Sequence, residues 1–279
     1  MRGNGDKRSR VRRTLGAVKY RVHLLTAPNS SRTVASPDEP TVSGLNTDAD
    51  WEWYGQNEPY FGVLTNPKFS RENLDERGRE EFFESGRKDV ELLLETVRSR
   101  IDRDFAPDSV LEFGCGVGRN LGAFSDHVEW IVGVDVSASM LAEARENCWA
   151  QGLTNVTLLE SDDALSRVDG QFDLVYSFIV FQHIPVERGE AILRALWKHL
   201  APGGVGVIQL TYEGLHGPDP GPPERRPAGQ PPPMQMNRYD LNRVFGILQD
   251  SGVREVFFTF TDHGGHLGVH CYFQRPKLL

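Results

Sequence analysis

Val110-Leu111-Glu112-Phe113-Gly114-Cys115-Gly116-Val117-Gly118-Arg119-Asn120 is the stretch from which the rest of this chain is best read. A short apolar run ends near an acid and breaks into glycine at every second position. The run has the character of a buried parallel strand. The glycines read as a tight strand-to-helix turn against whose bare backbone a ligand can lie. Leu121 to His127 then reads as the opening of a helix, whose first N–H groups attract an anionic group.

Glycine-rich turns of this kind serve dinucleotides, phosphates and sulfonium nucleosides alike, so the flanking pattern matters. Trp130 to Val134 is a second apolar strand closed by Asp135. An ionised carboxylate there offers two acceptor oxygens to the vicinal hydroxyls of a ribose. Asp162 follows a third strand, Phe172-Asp173-Leu174-Val175-Tyr176-Ser177 forms a fourth, and Leu200-Ala201-Pro202-Gly203-Gly204 precedes a fifth.

In that order these landmarks resemble the class I S-adenosylmethionine-dependent methyltransferases, over roughly residues 70–275. The resemblance implies a Rossmann-like, doubly wound α/β fold. Its sheet is seven-stranded and mostly parallel with an antiparallel last strand, under a helical and aromatic N-terminal cap. It implies S-adenosyl-L-methionine as cofactor. Glu112, Gly114, Gly116 and Gly118 would serve its amino-acid end, and Asp135 its ribose. Asp162 would accept from the adenine amino group, with Asp163 one residue away as the rival position. Phe178 would lie beside the methionine portion.

The 279 residues allow one good-sized domain with additions, at about 100–200 residues per domain. The net charge of −8 conceals an asymmetry: residues 1–25 hold eight Lys/Arg and one acid, so the remainder is strongly acidic. Such a body argues against nucleic acid as partner. No apolar run is long enough to span a bilayer, so no membrane role is expected. Three cysteines without metal-type spacing suggest a reducing, cytoplasmic setting. The basic N-terminus has no apolar core behind it, so a secretory signal is not expected there.

Three parts are expected. Residues 1–48 are polar, rich in Ser, Pro and Arg, and read as a disordered tail. Residues 49–105 hold an aromatic segment and a helical cap. Five aromatics fall within residues 51–62, so this segment either clamps the core or forms a lid over a pocket. Residues 70–102 read as two helical pieces, capped at Ser70 and jointed at Gly86. Residues 106–279 are the cofactor-binding domain, with a Pro/Gly-rich loop insertion at 213–236. Within it Arg119–His127, the stretch after Ser137, Pro185–Leu200 and Tyr239–Ser251 read as helices. Val253–Thr261 and Leu267–Phe273 read as a hairpin.

Methyl transfer needs mainly alignment in a dry pocket, and a base only where the acceptor holds its proton tightly. His183, His263 and His266 are the catalytic candidates. The rival reading of His183 is a residue that ties down its loop, and that of the other two is an exposed turn. His263, His266 and Cys271 lack a fourth ligand, so no metal is expected. The expected activity is methylation of an oxygen or nitrogen on a small-molecule substrate. The rivals are an NAD-dependent oxidoreductase, whose usual Gly-x-Gly-x-x-Gly is absent, and a non-catalytic scaffold. The acceptor and the oligomeric state are not legible.

Overall fold

Seven strands form one sheet in the order β3-β2-β1-β4-β5-β7-β6. This computed structural model describes residues 47–214, 230–263 and 265–277. The strands are β1 (Ser109–Phe113), β2 (Trp130–Asp135), β3 (Val156–Glu160), β4 (Phe172–Ser177), β5 (Leu200–Glu213), β6 (Val256–Asp262) and β7 (Leu267–Gln274). β1 pairs in parallel with β2 and β4, β2 with β3, and β4 with β5. Only β7 is antiparallel, pairing with β5 and β6. The Rossmann-like sheet with its reversed last strand is therefore present.

The central strands β1, β2, β4 and β5 are apolar on both sides because both sides are covered. Val110, Ile131, Leu174 and Val207 face one cluster with Leu94 and Val97 of α3 (Glu76–Arg100) and Phe124 of α4 (Leu121–Ser125). Leu141 of α5 (Ala138–Ala150) joins them. Leu111, Val132, Val175 and Ile208 face the other, with Leu193 and Leu196 of α6 (Val186–Lys198) and Val244 and Leu248 of α7 (Leu241–Asp250). A third cluster is largely aromatic. Tyr54 of α1 (Asp48–Asn57) and Tyr60 of α2 (Pro59–Val63) pack there with Phe69, Phe82 and Met140.

Several elements differ from the sequence reading. The region 70–102 contains one 25-residue helix, capped by Asp75 through Gly78 N–H, rather than two pieces capped at Ser70. Gly86 is no joint. A Cβ there would stand 2.3 Å from Arg119 O, so the glycine lets α3 press onto the turn that follows the glycine loop. The helix expected over Arg119–His127 shrinks to five residues, because Arg119 and Asn120 turn inward and are buried. Leu121 N–H donates to Gly118 O, so one of the first donors of the helix is taken within the loop. α7 begins at Leu241, since Tyr239 N–H donates to Thr211 O and Asp240 supplies the cap.

The expected tail over 1–48 lies outside the described residues except for Thr47, which is buried, and Asp48, which begins α1. Of the expected loop 213–236, residues 215–229 also lie outside them. Glu213 ends β5, and 230–236 run as irregular backbone. Among the described residues, no helix is long and apolar enough to cross a membrane.

The Gly86 contact has a testable sign. At a simple exposed helix position Gly→Ala stabilises by roughly 1 kcal/mol. Here Gly86→Ala should instead destabilise by about 1–3 kcal/mol through overpacking, read as a lower midpoint in urea unfolding.

Candidate active site at the carboxyl edge of the sheet

In open parallel sheets ligands sit beyond the carboxyl ends of the strands. A cleft enclosing about 750 Å³, open solvent included, lies there. Phe113, Gly114 and Gly116 line it after β1, Asp135 and Val136 after β2, and Ser161, Asp162 and Asp163 after β3. Phe178, Ile179 and Val180 line it after β4, followed by His183 and Arg188. Trp51, Gly62 and Val63 come from the N-terminal helices. Of the residues singled out above, Gly114, Gly116, Asp135, Asp162, Phe178 and His183 are thus brought together. Glu112, Gly118, His263 and His266 do not line the cavity.

Asp135 is held from both sides. Gly116 N–H donates to its Oδ2 at 2.9 Å and Ser137 N–H to its Oδ1 at 2.9 Å. Burial pushes its carboxyl up to about 6, against the pull of these bonds. The group nonetheless keeps partial exposure toward the cavity, and each oxygen retains a lone pair for a further donor.

The glycine loop needs its glycines on steric grounds. Gly114, Gly116 and Gly118 have φ of +75°, +52° and +83°. A Cβ on Gly114 would lie 2.3 Å from Val180 Cγ2, and one on Gly116 2.6 Å from Val63 Cγ2. The chain's own valines therefore share the space above the bare backbone.

Glu112 lies beneath this loop. Asn120 Nδ2 donates to its Oε1 at 2.7 Å, while Glu112 Oε2 and Asn120 Oδ1 are buried without partners. Burial raises the Glu112 carboxyl to about 7, and Asn120 and Arg119 counteract that. Buried polar atoms without partners are uncommon in native structures, so this pair marks where a polar ligand group or a water fits.

Asp162 accepts from Ser166 N–H at 2.9 Å and from Ser166 Oγ, which lowers its pKa and closes a turn. Asp163 belongs to a clamp that sequence reading missed. Arg188 donates to Asp163 at 2.8 and 3.0 Å and to Asp48 at 2.7 and 3.0 Å, so it joins α6, the loop after β3 and α1 at the cavity rim. Glu52, also missed, accepts from Ser137 Oγ, Ser139 N–H and Ser139 Oγ at the start of α5. Partial burial works against its charge, yet these bonds hold its pKa at about 2. Both contacts join residues far apart in the chain, and neither spacing nor composition announces them.

The aromatic segment both clamps and lines. Tyr54 and Tyr60 are buried, whereas Trp51 faces the cavity and meets the His183 ring at 4.9 Å. His183 has both nitrogens engaged. Nδ1 lies 2.7 Å from Gln235 O, which can only accept, so Nδ1 carries the proton. Nε2 then accepts from Gln182 Nε2 at 3.2 Å. Burial lowers its pKa to about 4.

Phe178 forms a cavity wall, backed by His270 at 5.2 Å and His263 at 6.2 Å between ring centroids. His263 Nε2, Gln209 Nε2 and Thr261 Oγ1 are buried there without partners. His263 and His266 sit in the β6–β7 turn, where His263 N–H donates to His266 O. Among the described residues, no cluster of His, Cys, Asp or Glu suits a metal.

Residues 110–204 match the family model described as a methyltransferase domain. The trans-aconitate 2-methyltransferase of Deinococcus radiodurans is 35% identical over 109 residues, covering 38% of this chain and 39% of that protein. The 18S rRNA (guanine-N(7))-methyltransferase of Bos taurus is 32% identical over 116 residues, covering 38% of this chain and 40% of that one. The chain thus spans about two-fifths of the length of these relatives. In fold it is similar to the magnesium protoporphyrin IX methyltransferase of Synechocystis, solved with bound SAM. That likeness has a TM-score of 0.56 and 17% identity, and covers 84% of this chain and 100% of that one.

His183 makes stability depend on pH. Its pKa is about 4 folded against 6.5 for the free side chain, so the unfolded chain takes up the proton first. The contribution is intact above pH 6.5 and is lost as pH falls toward 4. It amounts to on the order of 3 kcal/mol. Urea unfolding across that window should show a flatter pH dependence in His183→Gln than in the parent.

Proposed function

With residues 110–204 forming a methyltransferase domain of the class I type, we propose that the chain is an S-adenosylmethionine-dependent methyltransferase acting on an oxygen or nitrogen of a small molecule. The observation that carries this reading is Asp135, a carboxylate fixed by Gly116 and Ser137 at the mouth of a cavity beside a glycine loop. Its remaining lone pairs suit two ribose hydroxyls. The partnerless Glu112 and Asn120 atoms beneath the loop suit the polar amino-acid end, directly or through water.

The bound cofactor supplies an electrophilic methyl on a sulfonium. The protein's part is placement. Asp135 orients the nucleoside, and Asp162 or Asp163 flanks the adenine end. Trp51, Val63 and Phe178 exclude water from the reacting end. A cavity rimmed by Asp48, Asp135, Asp162 and Asp163, with one arginine, favours the positive charge of the cofactor's sulfonium. His183, with both nitrogens bonded, acts by holding its loop to Gln235 rather than as a base. The acceptor atom is then one that is nucleophilic unaided, such as a carboxylate oxygen or an uncharged amine nitrogen.

A small acceptor is favoured over RNA by two features. The chain beyond residue 25 is strongly acidic, and α1 covers one side of the cavity with Asp48 and Trp51. One relative does act on rRNA, so the acceptor assay must include macromolecules. Incubation with methyl-labelled cofactor and fractionated cell extract should label a small product. Label in RNA or protein would overturn the small-molecule reading.

Isothermal titration with S-adenosylhomocysteine tests the cofactor site. Asp135→Ala should weaken binding by at least about tenfold, the loss of one or two charge-assisted hydrogen bonds. Equal affinity in the variant, or no binding by the parent, would end the reading.

A further inference from the structure

β3 and β6 are the two edges of the sheet, and β6 is unusually bare. Edge strands are ordinarily guarded by lysine, proline or a bulge, because their unpaired N–H and C=O groups invite another strand. β6 reads Val256-Phe257-Phe258-Thr259-Phe260-Thr261-Asp262, without lysine or proline. It pairs with β7 through seven consecutive positions with no irregularity. Phe258 and Phe260 share one face and are 43% and 70% exposed. Phe245 of α7 and Tyr212 of β5 extend this aromatic surface, at 6.4 Å from Phe258 and 6.3 Å from Phe260.

The strand is also complementary to itself in charge. Arg254 stands two residues before it and Asp262 ends it; both are exposed, and both continue the two-residue spacing of Phe258 and Phe260. Arg254 reaches only the carbonyls of Gln249 and Val253, and Asp262 accepts from Gly265 N–H. Neither has an ion-pair partner among the described residues.

We propose that β6 is the seam of a homodimer, in which two copies pair antiparallel and join their sheets into one. With Phe258 on the two-fold axis, Phe260 faces Val256 of the second copy, and Arg254 faces Asp262 of the second copy at each end. Facing residues must share a face of the sheet, so the register can shift only in steps of two. A shift one way sets Asp262 against Val256, and a shift the other way sets Arg254 against Phe260. Only the central register has an apolar middle and two ion pairs. The edge groups of β6 gain partners, and the two-fold places the Phe245 and Tyr212 rings of both copies beside the seam. They add the area that a strand pair lacks against the roughly 800 Å² per subunit of a stable complex.

Sedimentation of the full chain tests this. The parent should run at about twice 31.3 kDa at micromolar concentration. Arg254→Asp and Asp262→Arg should each weaken the dimer by at least about tenfold, by setting like charges opposite each other. The double variant, with the charges exchanged, should restore it. Phe260→Lys should give monomers with an unchanged circular dichroism spectrum. A monomeric parent, single variants that dimerise as the parent does, or a double variant that stays monomeric would overturn the proposal.

Discussion

The carboxylate of Asp135 is the fixed point on which the site is built. It ends β2 and accepts one backbone N–H from the glycine loop and one from the start of α5. Keeping a charge at so enclosed a position is costly, as its raised pKa records, and the two backbone bonds offset part of that cost. The same α5 terminus receives Glu52 from α1 through Ser137 and Ser139. Strand end, glycine loop and cap helix therefore share one short run of backbone, and the position of each depends on the other two.

The cap is secured at further points. Arg188 ties α1 to the loop after β3, and Tyr54 and His183 tie α1 and the post-β4 loop to the 230–237 segment. Tyr60 adds bonds to Glu143 and Asn147 of α5. The Arg188 and His183 tethers are polar and lie at the cavity, whereas the apolar anchoring of the cap centres on the Tyr60, Phe69 and Phe82 cluster, which reaches the cavity only through Met140 and its neighbours. Such a division leaves the rim adjustable while the cap stays attached, since exposed ion pairs contribute little and buried aromatic area contributes more.

The strands were legible because each is a short apolar run bounded by turn residues, and a buried parallel strand has few other ways to be written. β2 runs from Trp130 to the Asp135 that was expected to close it. Helix limits were less legible. Gly86 reads locally as a break, but only the approach of Arg119 O explains why a glycine is needed inside a continuous helix. The turn at Arg119 and Asn120 likewise follows from partners elsewhere, Ser85 and Asp89 for the one and Glu112 for the other. Ile179, a branched residue at φ +57°, is strained in a way its identity argues against, and its N–H is held by Gln209 across the strand boundary.

By itself the sequence determined the α/β architecture, the order of its landmarks and the places where backbone must come bare to a ligand, because these rest on local periodicity and on glycine stereochemistry. Tertiary structure alone decided what stands around them. It placed Trp51 and Val63 over the cavity, closed Arg188 on two distant aspartates, and spent both nitrogens of His183 on neighbouring groups. It also left Phe258 and Phe260 on an uncovered edge. Most of these outcomes depend on pairs of residues separated by tens to more than a hundred positions. No local pattern encodes which distant carbonyl or carboxylate a side chain will meet once the sheet has set the loops side by side.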